Sequence, residues 1–352
     1  MSGMCDIKSM LPEELEHCVR ELGEPAFRAG QLYGWMHRKK AAALEEMTNI
    51  PKRLREKLAA EQAFYSLKIV TVQESALDGT RKYLFALPDG NCIESVWMRY
   101  HHGNSVCISS QVGCRMGCRF CASTVDGLER DLTAGEMLDQ IYGIERDTGE
   151  RVSNIVVMGS GEPMDNYDNL LRFLRMVSDK NGINISQRNI TVSTCGIVPG
   201  ILKLAEEKLQ ITLALSLHAA DDETRRRLMP VANRYSIAET LDACAVYFER
   251  TGRRVSYEYS LVSGVNDTEE EAEKLIRLLR RRKGHVNLIP VNPVVERQWR
   301  ESAPTAVLRF QKLLEKSGIN VTIRREMGRD IDGACGQLRR RYRAEQGEGK
   351  ES

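Results

Sequence analysis

Past residue 100 the chain alternates short β-branched runs with longer amphipathic stretches. The runs are Val106–Ser109, Asn154–Met158, Ile190–Ser193, Ile211–Leu217, Val255–Leu261, Val286–Pro290 and Val321–Arg324. Between them lie Thr133–Thr148, Tyr167–Lys180, Pro199–Lys208, Ile237–Thr251, Thr268–Lys283 and Pro304–Ser317, where apolar positions recur at helical spacing. Short apolar runs suit buried strands, and spacings of three and four suit helices lying on them. Repeated strand-then-helix order implies parallel strands joined by right-handed crossovers. Six such units and one further strand fall short of a closed eight-fold barrel. The expected fold class is α/β, an open, partial (βα)6 barrel, with a doubly wound sheet as the other parallel arrangement.

The first hundred residues follow a different rhythm. Helices are expected from Leu11-Pro12, where proline sits just inside the first turn, over Phe27–Lys40, and from Ile50 to Arg55. Tyr83–Leu87, the turn residues Pro88-Asp89-Gly90-Asn91, and Ile93–Met98 then read as a β-hairpin. This gives an N-terminal accessory domain of helices followed by a β segment over residues 1–99, a barrel over 100–345, and a polar, disordered tail over 346–352.

Composition changes this picture little. A chain of 352 residues with a net charge of +2 and 28% charged side chains reads as globular. No apolar run reaches the ~18 residues of a membrane span, and the first thirty residues lack a signal-peptide pattern. A cytoplasmic protein without a membrane partner is expected. Balanced charge leaves any nucleic-acid partner to local clusters. These are Arg38-Lys39-Lys40, Arg225-Arg226-Arg227, Arg280-Arg281-Arg282-Lys283 and Arg339-Arg340-Arg341, which suit phosphates and equally suit solvated helix faces.

The cysteines carry the chemistry. Of ten, three fall within eight residues as Cys114, Cys118 and Cys121 on a glycine-bearing loop. Three thiolates at C-x3-C-x2-C spacing can converge on one soft metal centre. Structural zinc and cubane iron–sulfur clusters both normally take four protein ligands, so three leave one iron open for a small molecule. A zinc knuckle completed by Cys107 or Cys195 is the competing arrangement. Further polar residues follow the ends of the expected strands: Gly159–Pro163, Ser193–Gly196, Ser216–His218 and Val291–Pro293. In parallel barrels that face holds the active site.

The cysteine spacing, with Phe120 before the last cysteine, resembles the radical-SAM superfamily signature. Cys107–Cys114, Gly161-Glu162-Pro163, Ser216-Leu217-His218, Val286–Pro293 and Asp330–Leu338 narrow the resemblance to the RlmN/Cfr family of RNA methyltransferases. It extends from about Phe27 to Leu338. Pro163 and Pro290 look more like RlmN than Cfr, and Gly333, where relatives often have Ala, is a mild departure.

The resemblance implies a radical-SAM barrel with a [4Fe-4S] cluster on Cys114, Cys118 and Cys121. It implies two molecules of S-adenosyl-L-methionine per turnover. Gly161 and Glu162 match the pair that holds the methionyl amine, and Ser193, Ser216, Leu217, His218 and Asn292 match further contacts to it. Cys335 matches the methyl-carrying cysteine, Cys107 its disulfide partner, and Glu94 the acceptor of the adenine C2 proton. The implied substrates are adenosine 2503 of 23S rRNA and adenosine 37 of tRNAs, modified at C2 by a monomer fed electrons by flavodoxin or ferredoxin. Cfr-type methylation at C8 and a non-catalytic zinc-knuckle RNA-binding protein are the competing functions.

Overall fold

The computed structural model describes residues 6–61, 64–101, 103–291, 299–331 and 336–348. Three helices lead: α1 (Pro12–Glu21), α2 (Phe27–Tyr33) and α3 (Lys52–Glu61). Proline opens α1, where its missing N–H costs nothing. Four antiparallel strands follow, β1 (Lys68–Glu74), β2 (Arg81–Ala86), β3 (Cys92–Tyr100) and β4 (Gly103–Ile108), then a separate two-stranded ribbon of β5 (Gln111–Gly113) and β6 (Leu128–Asp131).

Parallel strands and helices then alternate: α4 (Ala134–Thr148), β7 (Val152–Val157), α5 (Tyr167–Val177), β8 (Ile190–Thr194), α6 (Val198–Glu206), β9 (Thr212–Ser216), α7 (Asp222–Leu228), α8 (Ile237–Thr251), β10 (Val255–Leu261), α9 (Glu269–Leu279), β11 (Gly284–Pro290), α10 (Pro304–Lys316) and β12 (Val321–Ile323). The chain closes with α11 (Gln337–Glu348). Residues 346–348 of the expected tail therefore belong to a helix, and 349–352 lie outside the described residues.

The strand order is β1-β2-β3-β4-β7-β8-β9-β10-β11-β12. From β4 onward the pairing is parallel, so the expected partial (βα)6 barrel is present. Its sheet stays open, with β1 and β12 at the two ends. The hairpin β2–β3 joins this same sheet, because β3 pairs with β4 across residue 100. No helix among the described residues is long and apolar enough to cross a membrane.

The N-terminal helices are fastened to α4. Lys8 Nζ lies 3.0 Å from Asp139 with both side chains buried, and the other carboxylate oxygen of Asp139 accepts the Leu67 N–H. Lys40 pairs with Glu145 at 2.6 Å. His37 packs its Nδ1 3.0 Å from the Tyr142 hydroxyl. Burial first, and the charge of Lys8 second, lower the His37 pKa to about 3. The unfolded chain binds a proton there below about 6.5, and the folded chain refuses it until about 3, so stability is intact above 6.5 and lost as pH falls. Acidification from pH 7 to 5 should cost about 2 kcal/mol through this residue. Urea midpoints at both pH values, in wild type and His37→Phe, check this: the variant should lack that portion of the pH dependence.

Candidate active site

The cysteine loop leaves β5 through Gly113. Gly113 has φ 79°, and a Cβ there would sit 2.0 Å from the carbonyl oxygen of Gly127, so only glycine lets the loop and the ribbon approach. The Cys114 N–H donates to that same oxygen at 2.8 Å. Cys114 and Cys118 are buried and Cys121 is partly so. Cys118 and Cys121 share an apolar pocket with Cys195, Leu228, Met229, Val262 and Phe120. Burial pushes the Cys114 thiol up to about 12, and neighbouring Cys121 adds to the shift. Cys118 is driven well up by burial and by Cys121 and Cys114, and Cys195 by burial, Glu162 and Cys118. Among the described residues no three His, Cys, Asp or Glu side chains are drawn into metal-ligand geometry; the thiols are mutual electrostatic neighbours. Soft donors crowded into a dry pocket fit an iron–sulfur cluster, whose cationic irons supply the countercharge that buried thiolates lack.

The Gly161-Glu162 turn follows β7. A Cβ on Gly161 would meet Ser110 Oγ at 2.5 Å and the Gln111 nitrogen at 2.7 Å. Glu162 is buried, and its carboxylate accepts the N–H groups of Cys195 (2.7 Å) and Met164 (3.0 Å). Burial raises its pKa against these bonds. Gln111 fixes the turn: its Oε1 accepts the Glu162 N–H, and its Nε2 donates to Asp131 and Asp165.

The ends of β8 and β9 meet beside it. Ser193 Oγ lies 3.3 Å from Ser216 Oγ. Leu217 is buried, and the Leu217 and His218 N–H groups both donate to the Glu258 carbonyl. His218 sits at φ 54°, unusual for a residue with a side chain. Its Nδ1 accepts the Ser260 N–H at 2.9 Å and its carbonyl accepts from Asn266. Burial, with help from Arg225, holds its pKa at about 3, so it is neutral. Its ring meets Phe120 edge-on at 4.9 Å. Arg225 lies beneath, fully buried, donating to the carbonyls of Cys195 (2.7 Å), Leu217 (3.2 Å) and Ser216 (3.4 Å). The expected phosphate cluster Arg225-Arg226-Arg227 is corrected accordingly: Arg225 is an internal tie, because its position on α7 faces the sheet. Arg339 is likewise buried and paired with Glu129.

Cys107 is buried on β4, opposite Val96 of β3. Glu94, two residues earlier on β3, is buried against Lys82 at 3.0 Å. Its carboxylate also accepts the N–H groups of Gly336 (2.6 Å) and Arg339 (2.7 Å) at the start of α11. Gly336 is so close to Ala122 and Ser123 that a Cβ would come within 2.9–3.1 Å of them. The chain flanking Cys335 is thus seated beside the cysteine loop. Cys335 itself and Asn292 lie outside the described residues.

The described residues expected in a site thus gather around the C-terminal ends of β4, β7, β8 and β9. Sequence reasoning missed Gln111, Gln140, Arg225 and Asn266. Gln140 of α4 is buried and binds Ser95, and both the N–H and carbonyl of Ser109. Only Gln111, inside the motif around Cys114, carried a signal.

A model of the radical SAM superfamily matches residues 108–279, and one of the ribosomal RNA large subunit methyltransferase N-terminal domain matches residues 5–63. A probable dual-specificity RNA methyltransferase RlmN of Lachnospira eligens is 62% identical over 96% of this chain and 97% of its own. This chain belongs to the RlmN family. Another probable RlmN, from Clostridium perfringens strain 13, is 52% identical over 96% of this chain and 98% of its own. The crystal structure of a radical SAM methyltransferase from Sphaerobacter thermophilus superposes with a TM-score of 0.91 at 42% identity, covering 95% of this chain and 98% of that one. An RlmN-family member of the radical SAM superfamily employs a [4Fe-4S] cluster and S-adenosylmethionine, and the residues gathered here have the chemistry to hold both.

Proposed function

We propose that this chain methylates C2 of adenosine 2503 in 23S rRNA and of adenosine 37 in tRNAs, by way of a methyl group carried on Cys335. One observation carries this reading: Gly336, adjacent to Cys335, is held by Glu94 and packed on Ala122 and Ser123, directly after Cys121. A seat for Gly336 beside the cysteine loop supports a methyl carrier at the neighbouring position.

Cys114, Cys118 and Cys121 would hold the cluster, which when bound supplies the electron that cleaves S-adenosylmethionine. Glu162 retains lone pairs beyond its two N–H bonds and can receive the methionyl ammonium, whose charge favours the ionised carboxylate. His218 offers a donor at Nε2, since Nδ1 is occupied by Ser260. Arg225 holds the carbonyls behind Cys195 and Leu217, and so fixes both strand ends. Glu94 can take the C2 proton by giving up one of its three contacts. Cys107 as thiolate then attacks the sulfur of Cys335: the S–S bond forms, the bond from that sulfur to the RNA-borne carbon breaks, and its electron pair leaves with that carbon, which takes a proton from solvent to become the methyl group.

Mass spectrometry of 23S rRNA and tRNA treated with anaerobically iron-loaded protein tests this. 2-Methyladenosine in both RNAs is expected. 8-Methyladenosine would overturn the position, and unmodified RNA from a protein that cleaves S-adenosylmethionine would overturn the substrate.

A further inference from the structure

The concave face of the sheet encloses a second feature, away from the cysteine loop. A cavity of about 780 Å³ runs along the inner side of the parallel strands, from Arg188, Arg253 and Arg254 before β8 and β10 to Val156 and Met158 at the end of β7. Its charged lining is Arg188 just before β8, Arg253 and Arg254 just before β10, His285 of β11, Arg324 after β12, and a single acid, Glu258. No residue of the cysteine loop or the Gly161-Glu162 turn lines it, and that turn follows the C-terminal end of β7, whereas Arg188, Arg253 and Arg254 precede the N-terminal ends of β8 and β10.

The arginines lack a countercharge. Among the described residues none of the four forms an ion pair, and Arg188, Arg254 and Arg324 make no side-chain hydrogen bond. Arg253 touches only the Ile211 carbonyl and the Thr212 hydroxyl. Glu258 does not neutralise them: one carboxylate oxygen accepts from Ser256 and the other from Asn287. In two of the basic runs a member is paired internally, Arg282 with Asp242 and Arg339 with Glu129. Four guanidiniums lining one cavity without an acid to pair them favour an anion among them, and planar forks of this kind match phosphate oxygens. Tyr100 and Phe248 line the same cavity and offer faces for a base or ribose. The volume suits a nucleotide-sized group.

We propose that this cavity is a phosphate-binding site, taking the phosphate of a nucleotide unit at the end of the barrel opposite the cysteine loop. The site stands whether or not the methyl-transfer reading holds. The phosphate belongs either to an RNA backbone or to a free nucleotide, and the two sources separate experimentally. Inorganic pyrophosphate is titrated by calorimetry, and a labelled short oligoribonucleotide by anisotropy at several salt concentrations. Both probes are applied to wild type, to Arg188→Ala/Arg254→Ala/Arg324→Ala, and to Arg226→Ala/Arg227→Ala on α7. All five substituted side chains are exposed, so unchanged melting midpoints and iron uptake verify intact folds.

The cavity variant should bind pyrophosphate about 10-fold more weakly or worse, with the α7 variant unchanged. An accompanying fall in oligoribonucleotide affinity, with the salt slope reduced by about 2, assigns the site to RNA backbone; unchanged oligoribonucleotide binding assigns it to a free nucleotide. Pyrophosphate binding that is absent in wild type, equal in wild type and cavity variant, or equally weakened in the α7 variant overturns the proposal.

Discussion

Cys107→Ala should purify from cells with RNA covalently attached, and its yield of methylated RNA should fall by about two orders of magnitude or more. In the proposed cycle Cys335 accepts the methyl group first, and Cys107 acts only after the new carbon–carbon bond has formed. Without Cys107 no thiolate attacks the Cys335 sulfur, so the thioether link to RNA persists. Cys335→Ala has no methyl carrier, and should give neither product nor adduct. Buried thiols without this chemistry would behave alike in both variants, with modest destabilisation. A denaturing gel with and without RNase separates the cases: a shifted, RNase-sensitive band belongs to Cys107→Ala alone. Methylated RNA made at the wild-type rate by Cys107→Ala would remove its resolving role.

The second large effect belongs to Glu94. Glu94→Ala strips Lys82 of its buried carboxylate and leaves the Gly336 and Arg339 N–H groups without an acceptor. Breaking a buried pair in this way costs about 3–5 kcal/mol, so the urea midpoint should drop sharply and α11 should become sensitive to protease. Loss of methylation in that variant would say little about chemistry. Glu94→Gln combined with Lys82→Met restores a neutral pair of similar volume and keeps one acceptor oxygen for α11. This double variant should recover most of the stability and the protease resistance, yet remain unable to methylate RNA, because no carboxylate is there to take the C2 proton. Methylation restored along with stability would make Glu94 a positioning residue only.

Much of the barrel was legible because its strands and helices alternate as distinct hydrophobic periods; β10 over Val255–Leu261 and α8 over Ile237–Thr251 coincide with their expected spans. The cysteine loop was legible because thiols so close in sequence must be close in space. What escaped was long-range. Arg225 reads like its neighbours in a basic triplet, and only the orientation of α7 turns it inward while Arg226 and Arg227 face solvent. Glu94 looks like any strand glutamate until α11 arrives from some 240 residues downstream to use it as a cap. The hairpin was expected, but its fusion to the barrel sheet depends on β3 pairing with β4, which no local pattern encodes.

That fusion has a consequence for recombining members of the family. A chimera spliced at residue 100 would take β3 from one parent and β4 from another, and would ask ten residue positions of ladder, from Val96 to Cys107 on through Tyr100 to Gly103, to match across unrelated partners. It would also separate Glu94 from the α11 it caps. The natural seam lies earlier, in the stretch between α3 and β1, where the helical segment ends and the sheet has not yet begun. Exchanging only the helices ahead of that seam would move Lys8, His37 and Lys40 together, and would succeed where the recipient α4 supplies the Asp139, Tyr142 and Glu145 partners.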